Sequence, residues 1–130
     1  MASFNQKDLQ ETFVKLQNLF NAGDYDGLRP LLHPNITWKM LHHVESISGD
    51  AAVTQWLKDG KASLRPQFNP TQDKQRDRLL ADGSHQISGP AVWQGQDSVK
   101  NPENIDYYFT FTTDRDGRWL LINAFGTLTL

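Results

Sequence analysis

Apolar residues keep a helical spacing at the start of this chain and alternate over its second half, and that order limits the fold more than any other feature. Leu9, Phe13, Leu16 and Phe20 recur every three or four residues and form one stripe on a helix. After Gly60 the apolar residues mostly alternate with polar ones, the period of strands with two distinct faces. Helices followed by strands on short turns imply an α+β domain with a mainly antiparallel sheet.

The first helix is expected to start at an Asn5 cap, with Asp8 in its first turn and Phe4 and Leu9 spaced as a hydrophobic staple. Gly23 supplies a left-handed stop. Asp24-Tyr25-Asp26-Gly27 then opens a short second helix carrying Leu28, Leu31 and Leu32; Pro30 fits only its first turn, and Pro34 ends it. Ile36 to His43 reads as a strand, with Ile36, Trp38, Met40 and His42 on the buried face and Thr37, Lys39, Leu41 and His43 on the other. Ser48-Gly49-Asp50 starts a third short helix, with Val53, Trp56 and Leu57 on one side and Gly60 past its end.

Breaks at Asp82-Gly83, Gln94–Asn104 and Asp114–Gly117 separate strands expected over Arg76–Ala81, His85–Gln94, Asp106–Thr113 and Arg118–Leu130. The polar stretch Leu64–Lys74, with Pro66 and Pro70, is assigned no element. His85, Ile87, Gly89, Ala91 and Trp93 share one face, and Tyr107, Phe109 and Phe111 share a face of the next strand. The last strand is apolar on both sides: Trp119, Leu121 and Phe125 on one, Leu120, Ile122 and Ala124 on the other. A layer of three helices covers one face of such a sheet only, so the outer face is expected to pair with a second copy as a homodimer.

Composition removes whole classes. The 130 residues suffice for a single domain over 1–130. No apolar run approaches the roughly 18 residues of a membrane helix, and the first ten residues carry no secretory pattern, so a soluble cytoplasmic protein is expected. Without cysteine there is no disulfide, thiolate metal site or cysteine nucleophile. A formal charge of −2 argues against nucleic acid. No Gly-rich phosphate loop, nucleophile elbow or HExxH helix occurs, so no cofactor is expected.

A long helix, then LFNAGDYDGLRPLLHPNITWKM, SGDAAVTQWLKDG, and long strands ending DRDGRWLLINAFG together resemble the nuclear transport factor 2-like superfamily, in the style of its SnoaL-like, polyketide-cyclase-type bacterial members. The resemblance spans nearly the whole chain. It implies a conical α+β barrel, three helices packed in a strongly bent sheet, with a pocket open at one end. Members include isomerases, dehydratases, cyclases and epoxide hydrolases as well as non-catalytic subunits and assembly domains, so the fold does not choose the chemistry.

With the Trp38 face inward, the pocket set is Trp38, Met40, His42, His85, Trp93, Tyr107, Phe109 and Asn123. Aromatic walls with a few polar groups suit a small-molecule site, and the same rings also serve as ordinary core. His42 is the acid–base candidate, because imidazole titrates near neutral pH; equally, its nitrogens can be satisfied by backbone or water. His85 follows the same pattern nearer solvent, and Tyr107 can donate to a substrate carbonyl or rest as a core tyrosine. His42 and His43 point to opposite faces, so no metal site is expected.

The tyrosine and aspartate of ketosteroid isomerases have no match, since Phe13, Leu16, Trp38, Lys39 and Met40 stand there. The two aspartates and arginine of limonene-type epoxide hydrolases find only Asp106 and Arg78 as loose counterparts. The scytalone dehydratase pattern is matched in type by His42, His85, Tyr107 and Asn123, without its helix tyrosine and aspartate. The functional expectation is a pocket protein for a small apolar or polyketide-like molecule, as a cofactor-independent isomerase or lyase. The alternative is a non-catalytic ligand-binding or assembly module.

Overall fold

The computed structural model describes residues 6–40, 46–59, 67–94 and 103–129, with only the backbone of Gln6, Met40, Gln72, Gln94, Glu103 and Leu128. The elements in chain order are α1 (Gln6–Ala22), α2 (Tyr25–Leu28), a 3-10 turn (Arg29–Leu31), β1 (Leu32–Met40), β2 (Ile47–Ser48), α3 (Asp50–Lys58), β3 (Gln67–Pro70), a 3-10 turn (Gln72–Lys74), β4 (Arg76–Leu79), β5 (His85–Gln94), β6 (Glu103–Thr113) and β7 (Trp119–Leu128). This is the expected α+β class. The seven strands form one sheet in the order β2-β1-β7-β6-β5-β3, with β4 also beside β5. Among the described strand pairs, only β1 and β7 run parallel. None of the described helices is long and apolar enough to cross a membrane.

The stripe on α1 is buried as its spacing requires: Leu9, Phe13, Leu16 and Phe20 are at most 2% exposed. Gly23 ends the helix at φ 75°, which L side chains rarely adopt, and its N–H donates to the Phe20 carbonyl. Asp24 then caps α2 by accepting from the Gly27 N–H at 2.9 Å. The expected Asn5 cap and the Phe4 staple lie outside the described residues, as does Gly60.

One helix stripe touches β3 at one edge of the sheet and β1, next to the other edge, which requires the sheet to bend. Phe13 meets Phe68 of β3, and Phe20 meets Trp38 of β1. Four strand spacings of about 4.8 Å would hold β1 and β3 too far apart for one helix about 10 Å wide if the sheet were flat. The sheet therefore wraps α1.

Three elements differ from the sequence expectation. β1 begins at Leu32, so Pro34 lies inside the strand. The short strand β2 takes up Ser48, leaving Gly49 as the cap of α3. The unassigned stretch contains β3, which is docked by Asn21 at the end of α1: its Oδ1 accepts from the Phe68 N–H at 2.7 Å, and its Nδ2 donates to the Phe68 carbonyl at 2.9 Å. Asn21 thereby satisfies both backbone groups of Phe68.

The faces of β7 also differ. The β6–β7 register passes from Phe111↔Leu121 to Thr110↔Asn123, leaving Ile122 as a bulge. Beyond it the alternation is reversed. Ala124 points inward at 0% exposure, and Phe125 points outward at 38%.

Candidate functional site

Strand pairing orders the inner face into rows. His85, Phe111 and Leu121 form one row; Ile87, Phe109, Ala124 and Trp38 the next; Gly89, Tyr107, Gly126 and Met40 a third. Rings fill the space between these rows and α1. Phe13 stacks on Tyr107 with centroids 5.8 Å apart and meets Phe68, Phe109 and Phe111 edge-on. Phe20, two helical turns further along, packs on Trp38 and Trp93 at 6.0 and 5.6 Å. The two ring clusters are thus centred about 10 Å apart along α1.

Each cluster holds one polar atom that the packing does not satisfy. The Tyr107 hydroxyl and the Trp38 indole N–H are buried without a hydrogen-bond partner among the described residues. Burial, with a smaller contribution from the negative charge of Asp77, pushes the Tyr107 hydroxyl up to about 12. It is therefore a proton-bearing donor throughout the physiological range, suited to an accepting oxygen rather than to proton abstraction.

Gly89 makes room for that hydroxyl. A Cβ there would lie 3.5 Å from Tyr107 Oη, 3.4 Å from the Gln75 Cα and 3.0 Å from the Lys74 carbonyl oxygen. This is the place where β5 changes partners. Residues 85–88 pair with β4 and 91–94 with β3, while between them the Pro90 carbonyl accepts from the Thr71 N–H. Outside this gap lies a cleft of about 600 Å³ between α1 and the sheet edge, lined by Gln10, Phe13, Val14, Pro70, Gln75 and Asp77 among others. Gln75 Nε2 donates to Gln10 Oε1 across it at 2.9 Å.

The structure brings together some of the sequence-derived candidates and separates others. Trp38, Trp93, Tyr107 and Phe109 all face the interior, and the Met40 backbone joins the Tyr107 row. His42 lies outside the described residues. His85, expected near solvent, is only 7% exposed and meets the Trp119 ring in an edge-to-face contact. It sits four residues along β5 from Gly89, about 13 Å at the rise of a strand, so it does not share the Tyr107 site.

Asn123, expected in the pocket, lies on the outer face beside Thr37 and Thr110 as a consequence of the Ile122 bulge. Among the described residues no group of three or more metal-ligating side chains converges. Phe13, Gln10, Gln75 and Asp77 were missed as site residues. Phe13 was legible as a buried helix position, whereas Gln10 meets Gln75 and Asp77 only across more than sixty residues of chain.

No protein-family model matches the sequence, and no curated protein matches it either. Solved structures do. An NTF2-like protein from Cytophaga hutchinsonii is similar over 97% of this chain and 100% of its own, with TM-score 0.76 and 20% identity. ActVI-ORFA from Streptomyces coelicolor is similar over 94% of this chain and 95% of its own, with TM-score 0.73 and 15% identity. The Orange Carotenoid Protein of Anabaena (Nostoc), binding canthaxanthin, is similar over 90% of this chain and 35% of its own, with TM-score 0.71 and 17% identity. At these identities the likeness is one of fold, and the fold is NTF2-like.

Proposed function

We propose that this protein binds a small, largely apolar molecule carrying an accepting oxygen, such as a ketone, with the Tyr107 hydroxyl as its donor. One observation carries the reading: a fully buried hydroxyl, set among Phe13, Phe68 and Phe109, without a partner among the described residues. Leaving such a group unsatisfied costs about 1–3 kcal/mol, a cost that a bound acceptor would remove. The surrounding rings suit the rest of such a molecule. That an NTF2-like fold accompanies canthaxanthin binding in the Anabaena protein is consistent with this reading.

The test is titration with prodan, a naphthalene ketone whose emission moves to the red when its carbonyl accepts a hydrogen bond. Wild type should bind it, and Tyr107→Phe should bind about fivefold more weakly with bluer emission, as expected for one neutral hydrogen bond. Equal affinity and equal emission in the two proteins would refute the role of Tyr107. Absence of binding to either would refute the reading itself.

A catalytic form of the same reading is favoured by one further observation, the charge of Asp77 felt at the Tyr107 hydroxyl. A hydroxyl that polarises a carbonyl beside a carboxylate base would serve a cofactor-independent isomerase or lyase acting next to a ketone. Cyclic ketones in deuterium oxide should then exchange α-protons, and Asp77→Asn should abolish the exchange. Exchange no faster than in buffer would leave binding alone.

The outer face of the sheet is proposed to meet a second copy of the chain. It carries Phe125 and Val92, each 38% exposed, with Tyr108 against Phe125 at 6.1 Å.

A further inference from the structure

We propose that uncharged molecules reach Tyr107 sideways, through the gap between β3 and β4, and that the Gln10–Gln75 hydrogen bond is the latch of this door. The inference rests on the binding role given above to Tyr107 and adds the route and the residues that control it.

Among the described residues the middle of the wrapped sheet along α1 is filled by the Phe13 and Phe20 ring clusters, from β3 to β1. The side wall is thinner. Between the pairings of β5 with β4 and with β3, residues 71–75 are the described segment that crosses in front of Gly89 and Pro90. Their backbone comes so close that a Cβ at Gly89 would be 3.0 Å from the Lys74 oxygen. The Tyr107 hydroxyl lies directly behind that crossing. In front of it, the 600 Å³ cleft reaches Phe13, the ring stacked on Tyr107.

Among the described residues the crossing segment is held by few ties. Its backbone ties are the Thr71 N–H to the Pro90 carbonyl and the Lys74 N–H to the Thr71 carbonyl, and its side-chain tie to α1 is Gln75 to Gln10. Two amides bonded to each other can exchange that bond for water or for a passing ligand at small net cost, since a neutral hydrogen bond contributes little beyond its solvated alternative. The rim carries both Lys7 and Asp77, and it is the buried hydroxyl behind it, placed where a negative charge is disfavoured, that suits a ketone better than an anion.

The chain has no cysteine, so a pair introduced at the latch can be bridged selectively. Gln10→Cys and Gln75→Cys would be combined, the protein folded, and the thiols joined with bismaleimidoethane, with circular dichroism confirming the fold before and after. Prodan association would be followed by stopped-flow fluorescence. The unbridged double variant should bind at least as fast as wild type, with about a fivefold gain expected from loss of one hydrogen bond. The bridged protein should bind more than tenfold more slowly.

Unchanged association in the bridged protein, with the Tyr107→Phe defect intact, would overturn the door while leaving the binding role standing. Failure of every form, wild type included, to bind prodan would overturn both.

Discussion

The two faces of the one sheet are built from similar residue types and end in opposite conditions. Inward, Phe109, Phe111, Tyr107 and Trp38 are 0–2% exposed and lie in ring contact with α1. Outward, Tyr108 and Phe125 touch each other, and Phe125 keeps 38% of its surface exposed. Aromatic residues alone therefore do not mark a site. What distinguishes the inner face is a polar atom enclosed where its rings leave it no partner, next to a thin stretch of wall.

The largest effect should come from the inner face. Phe13→Ala removes the ring that four others share, and a cost of about 3–5 kcal/mol is expected for an aromatic truncated in a packed core. Denaturant unfolding measures it. A loss below about 1 kcal/mol would mean that the interior is not packed in this way.

Alkali should act on the same face. The folded state holds the Tyr107 proton to about 12 against an ordinary 10.0, so it binds more protons than the unfolded chain between those values. The stabilisation is complete below pH 10 and is lost as pH rises toward 12, by about 2–3 kcal/mol for two units. Wild type should lose that much more stability than Tyr107→Phe over this interval. Parallel curves for the two proteins would place the hydroxyl in contact with water.

The outer face should respond differently. Phe125→Asp leaves the core intact, so protomer stability should change by about 0.5 kcal/mol or less, as is usual for surface substitutions. Sedimentation should nevertheless show wild type as a dimer at micromolar concentration and the variant as a monomer. A wild-type monomer would remove the proposed interface.

The same contrast explains what was legible in the sequence. Alternation placed Trp38, Tyr107, Phe109 and Trp93 inside, because strands with a distinct polar face announce their phase. It failed in β7, where Trp119-Leu120-Leu121-Ile122 is apolar on both faces and an inserted residue leaves no mark on the pattern. Asn123 and Phe125 were misplaced for that one reason.

β3 was missed because its backbone is satisfied partly by Asn21, 47 residues earlier, and no local signal carries such a partner. The Gln10–Gln75 contact is equally remote. Gly89 was visible only as one member of a strand face, and the Lys74 oxygen that fills its missing side chain comes from the stretch to which no element was assigned.

The most direct test of the central claim is Tyr107→Phe, measured for stability and for prodan affinity on the same samples. If the hydroxyl is kept for a ligand, removing it should raise the stability of the free protein by about 1 kcal/mol, roughly 3–5 °C in Tm, and weaken prodan binding about fivefold. A lower Tm with unchanged affinity would contradict the account, because the hydroxyl would then be holding the fold together rather than waiting for a partner.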